Sequence, residues 1–323
     1  MTVLTSHVHQ KRQTRVPSVL FSLGVLFLLL LVLRNTALAA EGIRKGLAVC
    51  AQSLLPSLFP FMVLSEMAAG CGLAEALPKR MLLPLQRALR LSQAGAVALL
   101  LGLVFGFPIG TRYAIRSYQS GRLGSEECAR LLPLTCTASP AFLISVVGGA
   151  LWKDTRFGLT LYATSLLSIL LVGSLCARYA KIAPSVPATH VRATRTPAGT
   201  LFTGAVRTSA EGMLLICSYV LFFASLSETI GTVLSSFSVP RVWSAALTAL
   251  LELTGGANAS ATLPRPIGIW MTLLGCTWSG LSIQSQTLAL GVGTPLSYRR
   301  LFLTKLLQTC LSVPIFWTLA RFF

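Results

Sequence analysis

Acidic residues are scarce: nine Asp and Glu stand against 27 Lys and Arg in 323 residues, and charged residues make up only 11% of the chain. With 54% hydrophobic residues and a mean hydropathy of +0.72, there is too little polar surface to clothe a water-soluble fold, which leaves the polytopic membrane class. Histidine is equally scarce. His7, His9 and His190 fall in polar tails or linkers, so no Ser-His-Asp, Cys-His or zinc constellation can form around the apolar segments. An enzyme is therefore not expected, nor a metal or cofactor. The eight cysteines (50, 71, 128, 136, 176, 217, 276, 310) include no CxxC pair and lie mostly in apolar runs. There Cys serves as a small hydrophobe, and no disulfide framework follows. The net charge of +18 sits in short segments between apolar runs, as anionic headgroups and the positive-inside rule require. The partner it implies is the lipid bilayer and not nucleic acid.

What is present is a series of apolar runs. The first, Val16 to Leu33, follows Lys11, Arg12 and Arg15 and precedes Ala37-Leu38-Ala39-Ala40. This has the outline of a signal peptide, but its length and the intervening Arg34 and Asn35 favour an uncleaved transmembrane helix, giving an N-terminal unit over 1–43. Residues 44–77 form a long stretch carrying Pro56 and Pro60. A basic loop over 78–92 and an apolar run over 93–105 follow, and the run breaks at Gly106-Phe107-Pro108-Ile109-Gly110. Residues 125–151 read as a re-entrant hairpin of two pieces, each shorter than the ~20 residues needed to span hydrocarbon. Ser139 at its break is suited to cap, and Pro140 to open, the second piece. Residues 157–178 can span. After a basic linker over 182–199, residues 200–323 give another long lead, a break at Thr254-Gly255-Gly256-Ala257-Asn258, a second break around Thr277-Trp278-Ser279-Gly280, and a closing helix over 296–323.

The two halves, 44–181 and 200–323, thus run in the same order, with Ser65-Glu66 and Ser227-Glu228 as register marks. Placing the N-terminus, residues 79–90 and residues 178–195 in the cytoplasm makes the repeats inverted. The expected fold is all-α and polytopic, with two inverted repeats, broken helices and re-entrant hairpins. Under that topology Arg112, Arg116 and Arg122 fall on the outer side or face a cavity.

Irregular backbone inside a membrane survives only where it lines a cavity or is buried in protein, and paired broken helices point to a carrier's binding site. The candidate substrate-binding residues are accordingly Gly106, Pro108, Gly110, Thr111 and Arg112 at the first break, and Thr137, Ser139 and Pro140 at the second. From the other half come Thr254, Asn258, Ser279, Ser282, Gln284 and Gln286. Half-helix N-termini and Arg112 suit an anionic or carbonyl-bearing solute, while the hydroxyls and amides suit either a polar ligand or ordinary helix packing. Intramembrane carboxylates are candidates for ion coupling, here Glu66, Glu228 and Glu252.

At Gly106-Phe107-Pro108-Ile109-Gly110, Gly121-Arg122-Leu123, Leu134-Thr135-Cys136 and Ser139-Pro140-Ala141-Phe142 the chain resembles the sporulation integral membrane protein YlbJ family, whose members carry a nucleoside-recognition Gate domain. Gly280-Leu281-Ser282 with Gln284 and Gln286 extends the likeness into the second half, over residues 44–323. Many members have Asn after the hairpin cysteine, where this chain has Thr137. The resemblance implies a multi-pass cell-membrane protein, associated with the forespore and with movement of dipicolinate. The expected function is a transporter of a small anionic solute by alternating access. The alternatives are a nucleoside or nucleobase permease and a non-transporting spore-envelope scaffold. Self-association is left open.

Overall fold

The computed structural model describes residues 18–71, 77–179 and 197–321. The basic N-terminal residues, Lys181, Arg192, Arg195 and most of the 182–199 linker lie outside them. Among the described residues every regular element is a helix. The first half comprises α1 (Ser18–Arg34), α2 (Thr36–Val49), a π turn (Cys50–Leu54), α3 (Leu55–Gly70), α4 (Lys79–Leu89), α5 (Gln93–Phe105), α6 (Ile109–Gln119), α7 (Ser125–Leu134), a π-helix (Ala141–Leu151) and α8 (Thr155–Arg178). The second comprises α9 (Ala198–Ser236), α10 (Arg241–Leu251), α11 (Leu253–Ala261), α12 (Arg265–Trp278), α13 (Gly280–Leu290) and α14 (Tyr298–Leu319).

Four helical units are long and apolar enough to cross a bilayer: α8 with 24 residues, α9 with 39, α12–α13 with 26 and α14 with 22. Two bent pairs, α1 with α2 at 93° and α4 with α5 at 98°, could supply two further crossings. The chain is a multi-pass all-α membrane protein. α1 stops at Arg34, where Asn35 leaves helical geometry and its amide donates back to the Leu31 carbonyl at 2.9 Å. The boundary expected at residue 43 falls inside α2, which runs on because Gly42 and Gly46 seat it closely on α9. A Cβ at Gly42 would meet the Ala224 carbonyl oxygen and the Ser225 Cα at 2.6 Å.

The stretch over 44–77 is not one regular helix. Pro56 has no N–H, and its ring would press on the carbonyl four residues earlier; the π turn Cys50–Leu54 lies where that strain would fall and loosens the ladder there. In the second half, α12 and α13 are separated only by left-handed Ser279 and Gly280, and together they are long enough to cross. They form an interrupted span, where the sequence reads as a pair of short pieces.

Apart from α4, which has no counterpart in the second half, the described elements of both halves run in one order: a long lead (α2–α3, then α9), a broken pair (α5–α6, α10–α11), a second broken pair (α7–π-helix, α12–α13) and a closing helix (α8, α14). The leads pack on each other and so do α8 and α14.

Candidate functional site

The first break begins at Gly106, whose φ of +78° and ψ of −173° are open essentially to glycine alone. Its Cα side lies flat on the second break: a Cβ there would stand 2.7 Å from the Ser139 Cα and N. The freed backbone groups are then satisfied across this contact. The Phe107 N–H donates to the Thr137 carbonyl at 2.8 Å, and the Thr137 hydroxyl donates to the Gly102 carbonyl at 3.3 Å. Gly110 sits on Gly102 with no room for a Cβ, since its nearest backbone atom would be 2.4 Å away. Ser139 Oγ accepts from the Phe142 N–H at 3.2 Å, capping the π-helix that Pro140 opens. Ser139→Ala should therefore lower stability by about 1 kcal/mol, read as a lower Tm in detergent.

The second half repeats this contact with other chemistry. Its break falls on Glu252 and not on Thr254 to Asn258, which are helical in α11. Glu252 is extended and 5% exposed. Its carboxylate accepts from the Thr254 N–H at 2.9 Å and the Gly255 N–H at 2.5 Å, so one side chain both ends α10 and caps α11. Capping of this kind lets glycines, which by propensity break helices, begin one. Gly280 packs on this break, where a Cβ would come within 2.9 Å of the Leu253 N.

The two pairs of breaks meet at Cys136. Its carbonyl, without a helical partner, accepts from Ser279 Oγ at 3.4 Å and from Lys305 Nζ at 2.8 Å. The Thr287 hydroxyl lies 3.2 Å from its Sγ. Beside this junction lies a cavity of about 490 Å³. Thr137, Ser139 and Phe142 wall it from the first-half hairpin, and Glu252, Thr254, Ser282 and Gln286 from the second half. Phe107, Gln52 of the π turn, Ser145 and several apolar side chains complete the lining. Gln286 Nε2 donates to Ser282 Oγ at 3.1 Å, so those two present one joined polar edge. Among the described residues the wall holds one carboxylate and no basic side chain.

The remaining candidates lie elsewhere. Gly106, Gly110 and Pro108 shape the first break without lining the cavity. Thr111 faces Thr135, hydroxyl to hydroxyl at 3.0 Å. Asn258 is exposed and bonded to the Thr254 carbonyl, and Gln284 donates to the Trp278 carbonyl. Arg112 pairs with Glu66 at 3.4 Å and donates to the Thr208 carbonyl at 2.9 Å, tying α6 to α3 and α9. Arg116 binds the other oxygen of Glu66, and Glu228 pairs with Lys45 at 2.8 Å. Of the three carboxylates considered for coupling, only Glu252 reaches the cavity. Among the described residues no three His, Cys, Asp or Glu side chains gather as a metal site.

Sequence reasoning missed Lys305 and Gln308. In sequence Lys305 stands with Arg299 and Arg300 at the start of the closing helix, yet it is fully buried. The available signal was periodicity: Leu301, Lys305, Gln308 and Ser312 recur on one face of α14, and that face is buried.

The chain is 23% identical over 332 aligned positions to the sporulation integral membrane protein YlbJ of Bacillus subtilis (strain 168), a match covering 91% of this chain and 81% of that protein. The likeness to that protein runs over most of both chains. No family model matches the chain. No solved structure matches. The match to YlbJ spans both sets of breaks, and together with the apolar helices it supports a multi-pass integral membrane protein.

Proposed function

We propose that the chain is a membrane carrier of a small organic solute that binds in the cavity among the break tips and crosses by alternating access between inverted halves. The observation that carries this reading is the cavity itself. At about 490 Å³ it has the size of a small-molecule site, and it lies where both broken pairs converge. A scaffold gains nothing from leaving such a space open among close-packed helix ends.

The chemistry of the wall favours an uncharged, ring-bearing solute of the nucleoside or nucleobase class. The amides of Gln52 and Gln286, the hydroxyls of Thr137, Ser139 and Ser282, and the Glu252 carboxylate offer donors and acceptors. Phe107 and Phe142 offer faces. A dianion such as dipicolinate meets a carboxylate there, and Arg112, its expected partner, is held by Glu66. What favours dipicolinate is that the N-terminal ends of the π-helix and α11 border the cavity.

The test is uptake of radiolabelled uridine and dipicolinate into proteoliposomes. Saturable uridine uptake is expected, with Glu252→Gln reducing it about tenfold, because a carboxamide cannot accept from both the Thr254 and Gly255 N–H groups. Preferred uptake of dipicolinate would reverse the choice of solute. Absence of saturable flux for both would overturn the carrier reading in favour of a scaffold.

A further inference from the structure

Resting on the carrier reading, we infer that Lys305 is the group that takes up and releases a proton during solute movement, so that the coupling ion is H⁺. Lys305 is the largest of the fully buried side chains. Its Nζ contacts two neutral acceptors, the Cys136 carbonyl at 2.8 Å and Gln308 Oε1 at 2.6 Å. Among the described residues no carboxylate answers it. Glu66 and Glu228 pair with Arg112, Arg116 and Lys45; Glu126 and Asp154 with Arg300 and Arg265; Glu127 and Glu252 accept backbone N–H groups. Glu41 and Glu211 pair with the arginines of their own helices.

A buried cation without a counter-charge is costly, and inside a membrane it marks function. The cradle suits both protonation states. The ammonium has three N–H groups for two acceptors, whereas the neutral amine has two N–H groups and a lone pair. Gln308 Nε2 is buried with no partner, so a half-turn of that amide would aim a donor at the lone pair. The step is a simple proton transfer: Nζ–H₃⁺ gives one proton to water and becomes Nζ–H₂, and the reverse returns it.

The position couples this step to the solute. Cys136 lies directly before Thr137 and Ala138 of the cavity wall, and its carbonyl also takes the Ser279 hydroxyl of the opposite half. Loss of the Lys305 proton weakens the hold of α14 on the point where both broken pairs meet. The Cys136 thiol lies at the same junction, its Sγ 3.2 Å from the Thr287 hydroxyl. On the helices packed against α14, α12 carries Arg265 and Cys276, α8 carries Arg156, Tyr162, Cys176 and Arg178, α7 carries Glu126, Glu127, Cys128 and Arg130, and α13 carries no titratable side chain. Arg265 pairs with Asp154, Glu126 with Arg300, and Glu127 accepts the Ser92 N–H.

The full-length protein in proteoliposomes, loaded with a pH-sensitive dye, tests this with labelled uridine and dipicolinate as probes. The wild type should show a solute-dependent change of internal pH that saturates with uptake. In Lys305→Gln and in permanently charged Lys305→Arg, whatever solute counterflow persists should carry no protons. Wild-type solute flux without proton movement overturns this inference alone, and so does a wild-type proton-to-solute ratio in Lys305→Gln. Loss of counterflow in both variants while they stay monodisperse with wild-type Tm also overturns it, since Lys305 would then be structural. Absence of solute flux in the wild type overturns the carrier reading from which the inference starts. Should the variants not fold, ¹⁵Nζ-lysine NMR of the wild type decides. The solvent-protected lysine signal should exchange between ammonium and amine forms over the pH range of transport, and a fixed ammonium signal overturns the assignment.

Discussion

Gly106→Ala should destabilise the protein by about 3 kcal/mol or more and abolish uptake, although it adds one methyl group. Two costs combine. At φ +78° and ψ −173° the backbone occupies a region that an L side chain enters at a cost of about 1–3 kcal/mol. The new Cβ would also stand 2.7 Å from the Ser139 Cα, N and Cβ, and two of those are backbone atoms that cannot swing aside. Relief requires the two first-half breaks to separate. That would lengthen the Phe107 N–H bond to the Thr137 carbonyl and displace Thr137 and Ser139 in the cavity wall. Gly124→Ala is the control: with φ of −70° and nothing within 4 Å, it should shift Tm by a small fraction of the Gly106→Ala effect. Equal shifts for the two would refute the packing argument.

Glu66→Ala should cost about 2–3 kcal/mol, well above what a surface ion pair contributes. Glu66 is 10% exposed and holds both Arg112 and Arg116, with Arg112 itself only 16% exposed. Its removal strands a buried guanidinium whose Nη1 already has no partner. The double variant Glu66→Ala with Arg112→Met removes both charges and should recover more than half of the loss, because the stranded charge, and not the missing attraction, dominates. Melting temperatures of the two single variants and the double variant close the cycle. Additive losses would show that the pair is solvated and of little energetic consequence. The same comparison bears on the solute, since Arg112 engaged in this cluster is not available to an anion.

Much of the architecture was legible because it follows from local chemistry. The apolar runs, the stop at Arg34 and Asn35, and the break at Gly106 each depend on residues adjacent in sequence. So does the capping of the π-helix by Ser139 ahead of Pro140. The second-half break was misplaced for a physical reason: Gly255 and Gly256 weaken a helix by propensity, but the Glu252 carboxylate and close packing of Gly256 on Ala249 override that. The roles of Arg112 and Lys305 were illegible because each is set by a distant partner. Arg112 donates to the carbonyl of Thr208, 96 residues away, and Lys305 to that of Cys136, 169 away. A cation pointed at a break in sequence can serve a carboxylate in space, and one that follows two arginines at a helix start can turn inward.

The Cys136 carbonyl also bears on how the protein is made. Its two donors, Ser279 and Lys305, lie 143 and 169 residues further along the chain. A nascent first half emerging into lipid therefore holds an unanswered backbone acceptor at its hairpin until α13 and α14 have been synthesised. Until then the hairpin is better kept at the aqueous boundary or in the insertion machinery than released into hydrocarbon. Maturation of this membrane fold thus waits on α14, and synthesis halted before it would leave the first half without the donor that completes it.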